Sequence, residues 1–595
     1  MMKRVSVRTQ QRLAWGLLIL AVLIYIVEMS HQALLRYDTF KATAFDLGNM
    51  DQVLWNTLHG RPFQFTNQAI DWYGPPTRLA IHFEPILLPL SLLYAFHADP
   101  RILLVFQTLA LAAGALPVFL LARKYLPEWP ILAALFSMAY LLSPALLGLN
   151  IFDFHPISLA TPLLLYALLA FTYRRYIWFL IACVLAAACK EDVPLAIAML
   201  GVLLLWRYKH PRLGITLIVG GLVWSFLAFG VIIPHFYPGV QHNNYWYRYE
   251  SLGSSPGAAI VNLVFHPWLL FTTFFTMERV YYLASLFRNV GFLCLLAPEW
   301  LLPALPSLAV NLFSTNDPLL YSGVYHYNAT IIPFVMLAAI QGTSRLLQAW
   351  RTWRGEEVVA TTPGLETREV LPGAGAVPIR LLTSLGDRLS RLRAWSTARS
   401  AVVMVATFLL RFIRPAWWRI RWERYNQRMT PLAKQVALPR LQWIIVVWVI
   451  LMVALDFLTA TPTLNGFWAD HDPGPREQQI QQLLAMIPPT ASVSASDNLN
   501  PHLSEREQLA VFPSVSGTVN GKQYTVEYVI VDLNAIFPQD RAQTVKELNQ
   551  LVNSRQFRPL ARKEGVVLLV RRSTSPLKSA IIDRGDKRIC IRVYL

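Results

Sequence analysis

Five short motifs hold most of the groups in this chain that could move a proton or balance a charge. Asp46 and Asp51 lie in Phe45-Asp46-Leu47-Gly48-Asn49-Met50-Asp51, and His82 and Glu84 lie in His82-Phe83-Glu84-Pro85. Asp153 and His155 lie in Phe152-Asp153-Phe154-His155-Pro156, followed by Lys190-Glu191-Asp192 and a late His326-Tyr327 pair. A carboxylate within hydrogen-bond reach of a hydroxyl can serve as a general base. A lysine can balance a phosphate, and imidazole or phenol groups can add donors where negative charge develops. His82, Glu84, Asp153 and His155 are also able to hold a divalent cation. Their oxygens suit magnesium or manganese, and their imidazoles favour a transition metal. No cofactor is required by these residue types, so the cation stays an open expectation.

Each motif has a plain structural use as well. Asp46 fits the N-cap of an amphipathic helix running to Leu58, since Asp is a favoured cap. Glu84, Asp153 and His155 stand just before prolines that can open the next helix. Lys190-Glu191-Asp192 fits a solvated turn, and Tyr327 with Tyr321 and Tyr325 fits an aromatic belt. What favours chemistry is that all five motifs fall on one side of a membrane.

That membrane is read from composition. Hydrophobic residues are 55% of the 595 positions and charged residues 15%, with a mean hydropathy of +0.40. A soluble domain carries about 25% charged residues, and the deficit here is concentrated in long apolar runs. The first run, Leu13 to Val27, follows Lys3, Arg4, Arg8 and Arg12, and Glu28-Met29-Ser30-His31 is a poor cleavage site. It reads as an uncleaved span with its basic end in the cytoplasm. The net charge of +18 belongs to arginine-rich loops on one membrane side, so nucleic acid is not an expected partner. Cys183, Cys189 and Cys294 lie in apolar segments and only Cys590 in a soluble one, which leaves no disulfide framework and no zinc spacing.

Hydropathy places eleven spans, at 12–30, 101–122, 130–149, 157–173, 176–189, 193–206, 213–233, 280–297, 300–315, 328–342 and 441–460. With the N-terminus inside, Arg123-Lys124, Arg174-Arg175, Arg207 to Arg212 and the 345–435 region all fall in the cytoplasm, and the five motifs fall outside. The spans flanking Lys190-Glu191-Asp192 are shorter than the roughly 20 residues a bilayer needs, which predicts a recessed turn. Residues 84–97 read as a half-helix dipping into the outer leaflet. Ala401 to Ile413, with Trp417, Trp418 and Trp422 among arginines, reads as an interfacial helix on the membrane lipids. The domain plan is therefore a transmembrane domain at 1–343 with an external loop at 31–100, a basic insertion at 344–437, a last span at 438–462, and an extracytoplasmic domain at 463–595. Within the last, Arg476 to Met486 and Arg541 to Asn553 read as helices, and Ala491 to Ala495, Val526 to Leu533 and Gly565 to Arg571 as strands. That alternation predicts a small α/β domain.

The run of FDLGN, DQ and W, then HFEP, DFHP, KEDVP and the late HY pair, resembles a bacterial membrane family known only as domain of unknown function 2079. The resemblance covers residues 30–340 and, weakly, the C-terminal domain. That family in turn resembles the GT-C glycosyltransferases, among them the protein mannosyltransferases and the lipid A aminoarabinose transferase. This resemblance implies an α-helical polytopic GT-C-like fold, with an early external acid at Asp46, an embedded helix at 84–97, a later acid at Asp153 and a turn at Lys190 to Pro194. The early motif departs from the pattern in lacking adjacent acids, and Lys-Glu-Asp replaces Lys-Gly.

The implied function is transfer of a sugar from a polyprenyl-phosphate donor, with Asp46 as base and Asp51 or Asp153 in reserve. Lys190 would meet the donor phosphate, and His82, Glu84, His155, Glu191, Asp192, His326 and Tyr327 would line the site. A transporter or lipid flippase is the alternative, and would show repeats with interrupted helices; the sequence has no such repeat. A non-catalytic scaffold presenting the α/β domain is the third reading. Oligomeric state is not written in the sequence.

Overall fold

The computed structural model describes residues 7–67, 76–237, 245–272, 274–356, 436–466, 471–519 and 522–573, with a few isolated positions between them. The interfacial helix expected at 401–413 lies outside the described residues, as does Cys590. Most of the chain forms one bundle of apolar helices. Helices Val7–Asp38 and Leu438–Leu464 present Leu20, Ile24, Val27, Leu451 and Leu458 to the surroundings, all more than half exposed. Lipid is the natural solvent for such faces, because water would penalise every one of them.

The span count differs from the sequence reading. By length and composition, four helices among the described residues can cross a bilayer: Arg8–Asp38, Pro100–Tyr125, Pro211–Phe236 and Leu438–Ala460. A fifth forms if Pro130–Leu141 and Pro144–Ile151, bent by 45° at their junction, count as one. The segments expected as spans at 280–297 and 300–315 are not continuous helices. Helix Met277–Arg288 ends in a left-handed turn at Gly291 and Phe292, and short 3₁₀ segments follow to Ala304 before helix Leu305–Leu312. Pro298, Pro303 and Pro306 account for the breaks, since each removes a backbone donor. Helix Ile332–Arg354 runs well past residue 343, so the boundary drawn there falls within one continuous element.

Three apolar helices are short, at Pro156–Thr172, Tyr176–Ala187 and Val193–Trp206. At 1.5 Å per residue the last two reach only about 18–21 Å, less than a hydrocarbon core of about 30 Å. They flank residues 188–192, the turn that carries Lys190, Glu191 and Asp192. Glycines allow Val193–Trp206 and Pro211–Phe226 to pack backbone on backbone: a methyl group on Gly201 would sit 2.6 Å from the Gly214 carbonyl oxygen. Small residues serve this purpose where no hydrophobic effect drives helices together. In place of the half-helix at 84–97 stand a four-residue helix, Leu87–Leu90, and a 3₁₀ segment, Ser91–Ala95, both too short to span.

The C-terminal part is an α/β domain. Its strands are β1 (Val493–Ala495), β2 (Leu509–Val511), β3 (Ser516–Val519), β4 (Lys522–Thr525), β5 (Tyr528–Asp532), β6 (Phe557–Lys563) and β7 (Val566–Arg571). A mixed sheet in the order β2-β1-β5-β7-β6 is parallel through β1 and antiparallel through β7, and β3 and β4 form a separate ribbon. Helices Pro475–Leu484 and Pro538–Asn553 accompany the sheet, one on each of its two apolar cores.

This domain is fixed to the segment after the first helix by buried polar contacts. Asn67 and Asn500 exchange amide hydrogen bonds of 2.6 Å, and Thr66 Oγ1 both donates to Leu509 O and accepts from Leu509 N at 2.8 Å. Gln52 Nε2 donates to Arg506 O at 3.0 Å, and the His502 ring stacks on Tyr37 with centroids 4.0 Å apart. Buried groups satisfied this completely fix one register of docking.

Candidate active site

Residues 43–46 begin the helical stretch that continues through Asn49–Leu58, and they gather three carboxylates. Thr43 N–H donates to Asp153 Oδ2 at 2.9 Å, and its hydroxyl lies 2.8 Å from that oxygen and 3.1 Å from Asp46 Oδ2. The next amide, Ala44 N–H, donates at 2.8 Å to Asp497 Oδ1 of the C-terminal domain. Arg36, near the end of the first helix, reaches Asp153 Oδ1 at 3.4 Å and lies over the Phe152 ring. His155 Nε2 sits 3.0 Å from Asp46 Oδ1.

These carboxylates are not equivalent. The Asp153 side chain is 1% exposed and its backbone holds a φ of 49°, a left-handed conformation in which Asp is among the few tolerated residues. Both its oxygens are engaged by Thr43 and Arg36. Asp51 is fully buried, bonded by Tyr94 and by Ser504 Oγ at 2.5 Å, so it anchors the C-terminal domain and presents no open edge. Asp46 keeps 29% of its side chain exposed. Burial alone would raise the Asp46 pKa, but the His155 charge and hydrogen bond, with Thr43 and Arg78, hold it below the usual range. It is therefore ionised at neutral pH.

A cationic side adjoins this cluster. The His155 ring stacks on His326, with centroids 4.1 Å apart and planes 21° apart, and His326 lies beside the Tyr327 ring at 4.2 Å. Tyr327 in turn meets Lys190, whose ammonium is 5.9 Å from the ring centre, and Arg248, whose Nη2 donates to the phenol oxygen at 3.3 Å. Arg248 is braced by Asp317 at 3.0 Å. Lys190 is half-buried and forms no ion pair within 4 Å among the described residues. Burial pushes its pKa down, yet Asp192 and Glu191 outweigh this and keep it charged. Burial and the neighbouring His155 and Lys190 charges drive the His326 pKa well below its ordinary value, so its imidazole is neutral. The Nδ1 atoms of both His155 and His326 are buried with no hydrogen-bond partner among the described residues.

The remaining candidates brace the walls. His82 Nδ1 pairs with Glu191 Oε1 at 2.7 Å, and Phe83 N–H donates to Glu191 Oε2 at 3.1 Å. Burial raises Glu191, but His82 and then Lys190 bring its pKa down to about 2. Arg78 grips Glu84 through Nε at 2.7 Å and Nη2 at 3.3 Å. Asp192 is half-buried, and its Oδ1 finds no hydrogen-bond partner among the described residues. The four residues considered for a cation are thus each engaged with a different partner. Among the described residues no group of three His, Cys, Asp or Glu side chains is placed to hold a metal ion.

Close packing fixes the two sides relative to each other. A methyl group on Gly148 would fall 2.0 Å from the Val324 carbonyl oxygen. Only glycine lets helix Pro144–Ile151, which leads to Asp153, press on the bent segment that leads to His326. Sequence reading missed Arg36, Thr43, Arg78, Arg248 and Asp497. Arg248 had a signal, standing in an aromatic run with Tyr245, Trp246, Tyr247 and Tyr249. Asp497 had none, because its site partner Ala44 is 453 residues away.

Fold and site together define a polytopic helical membrane protein with a docked α/β domain and an ionised carboxylate–imidazole centre at one end of its bundle. The chain belongs to the predicted membrane protein family DUF2079, whose model matches residues 36–362 and 394–568. Among solved structures it is similar to ArnT from Cupriavidus metallidurans in the apo state, at 14% identity over 93% of this chain and 96% of that one, TM-score 0.42. It is similar to the same protein bound to undecaprenyl phosphate, at 15% identity over 93% and 97%, TM-score 0.42. The Archaeoglobus fulgidus oligosaccharyltransferase in the apo form matches at 13% identity over 88% of this chain and 70% of that one, TM-score 0.42. No curated protein matches.

Proposed function

We propose that this protein is a glycosyltransferase that moves a sugar from a polyprenyl-phosphate donor to an acceptor hydroxyl at the extracytoplasmic face. One observation carries the reading: the stacked His155 and His326 rings join an ionised, part-exposed Asp46 to a half-buried Lys190 that has no ion-pair partner among the described residues. A half-buried cation held charged by Asp192 and Glu191 yet in direct ion-pair contact with no carboxylate among the described residues suits a phosphate, and Arg248 and Tyr327 add donors beside it. Membrane lipids surround the bundle, and the donor's prenyl tail belongs among them.

In the step we infer, the acceptor oxygen attacks the anomeric carbon of the donor. The bond from that carbon to the phosphate oxygen breaks, and its electron pair leaves with polyprenyl phosphate. The acceptor's proton passes to Asp46, and Lys190 and Arg248 stabilise the departing charge. The lowered pKa keeps Asp46 ionised before the step, so it can face a sugar ring that gains positive charge and take the acceptor's proton as that proton is released. The N-terminus lies in the cytoplasm and the α/β domain outside on this reading, which the one-sided distribution of basic clusters supports. The full chain in detergent, offered a panel of polyprenyl-phosphate sugars, should transfer one of them in a manner dependent on Asp46. Absence of polyprenyl-phosphate binding in the wild-type protein would overturn the proposal.

A further inference from the structure

A chamber of mixed apolar and polar lining lies beside the segment 321–327, whose far end meets the cationic side. Its volume is about 480 Å³, and it is walled by helix Met277–Arg288, by Asp456 and Thr459 of the last long helix, by Ser143 to Ala145, and by Tyr321 to Val324. Arg288 donates to Asp456 Oδ1 through Nε at 2.9 Å and Nη2 at 2.6 Å, and to Thr459 Oγ1 at 2.6 Å. The Asp456 side chain is 1% exposed, and its other oxygen makes no hydrogen bond among the described residues. An ionisable pair inside an apolar helix is costly, and marks function by default. A pair serving only to pin two helices would gain by engaging both carboxylate oxygens.

Three features say what the chamber fits. Arg288 and Asp456 cancel, and Glu278 at the wall leaves an excess of one negative charge, which disfavours a phosphate. Ser143, Ser285, Ser322, Thr459 and Tyr281 supply hydroxyls beside aromatic faces, the chemistry that meets a polyol. Asp456 stands four residues before Ala460, where the apolar span Leu438–Ala460 ends, about 6 Å at 1.5 Å per residue and so close to one edge of that span. Leu451, Leu455 and Leu458 continue from it as exposed apolar surface for a tail.

Residues 321–324 line the chamber, His326 stacks on His155, and Tyr327 meets Lys190 and Arg248. Helix Pro144–Ile151 likewise begins at the chamber wall and ends two residues before Asp153. We propose that this chamber binds the uncharged, hydroxyl-rich head group of a membrane lipid and is the acceptor side of the transfer. The binding site stands on its own geometry, and the acceptor role rests on the function proposed above.

The test uses the full chain in nanodiscs with two photoactivatable lipids carrying the same diazirine acyl chain, glucosyl-diacylglycerol and phosphatidic acid. The glucosyl lipid should label peptides containing residues 277–288 and 451–460 at least five-fold more than phosphatidic acid. Ser322→Trp and Thr459→Trp, which fill the chamber from opposite walls, should each cut that labelling at least five-fold while polyprenyl-phosphate binding stays at the wild-type level. Equal labelling by both lipids, or labelling that survives both substitutions, overturns the site. Site-specific labelling with no elongation of the glucosyl lipid, in a protein that transfers sugar to another acceptor, overturns the acceptor role. Loss of polyprenyl-phosphate binding in the wild-type protein would instead strike the donor reading and leave the chamber standing.

Discussion

His155 Nε2 lies 3.0 Å from Asp46 Oδ1, and this contact couples the exposed carboxylate to the stacked imidazoles behind it. Replacing Asp46 with Asn keeps volume and the Thr43 contact but removes the charge and the capacity to take a proton. General-base catalysis is worth about 10²–10⁴-fold, so turnover should fall by that factor with melting temperature and polyprenyl-phosphate affinity unchanged. A variant that melts earlier yet transfers normally per folded molecule would make Asp46 a structural residue.

Asp153 should behave in the opposite way. It is buried with both oxygens occupied, and its removal leaves the Arg36 guanidinium without that partner. Breaking a buried pair costs about 3–5 kcal/mol. Asp153→Ala should therefore lower the melting temperature in detergent and reduce the yield of folded protein. An Asp153→Ala protein with wild-type stability and no activity would transfer the base role to this residue.

Lys190→Met separates binding from chemistry. The substitution keeps the length of the side chain's stem and removes the charge beside Tyr327. Affinity for polyprenyl phosphate should fall at least ten-fold, and the rate at saturating donor should fall as well. Measured by isothermal titration in detergent, an unchanged affinity would show that the phosphate sits elsewhere.

Topology is checked by fusion reporters. Fusions after Tyr208 and after Thr463 should give opposite signals, cytoplasmic for the first and extracytoplasmic for the second. Equal signals would place an odd number of span errors between them, and the broken stretch from Met277 to Leu312 is where the structure departs most from simple spans.

The motifs were legible because their chemistry is written locally. His82, Asp153, His155, Lys190 and His326 stand near short breaks between apolar runs, and such breaks are visible in any hydropathy trace. Their partners were not legible, because Arg36 with Asp153 and Glu191 with His82 are joined across 117 and 109 residues by helix packing alone. The α/β alternation of the C-terminal domain was readable from helix Pro538–Asn553 and strands β1, β5 and β7. Strand β2, three residues long, and the hairpin β3–β4, with residues mostly exposed or half-buried, carry too little periodicity to be read. The two spans expected near 280–315 failed for a physical reason: hydropathy counts apolar residues but ignores the prolines and Gly291 that end helices among them.

Asp497 brings the C-terminal domain into the site through the Ala44 N–H. Desolvation beside the cluster pushes its carboxyl up to about 6; the Asp153 and Asp46 charges add to this, and the Ala44 N–H and Arg36 oppose it. A carboxyl raised in the folded protein above its unfolded value of about 3.9 binds more protons folded than unfolded between those values. Its ionisation therefore costs stability as pH rises through about 6. Asp497→Asn stays neutral and can still accept the Ala44 N–H through its amide oxygen. The wild type and the variant should melt closest together near pH 4, the gap should widen as pH rises between about 3.9 and 6, and above pH 6.5 the variant should melt at the higher temperature by a constant margin. Circular dichroism melts of the full chain in detergent at pH 4.5, 5.5, 6.5 and 7.5 would measure the difference. A wild-type minus variant difference that is constant across those four values would mean that Asp497 does not titrate in this window, and that the negative charge of the cluster is not felt across the domain junction.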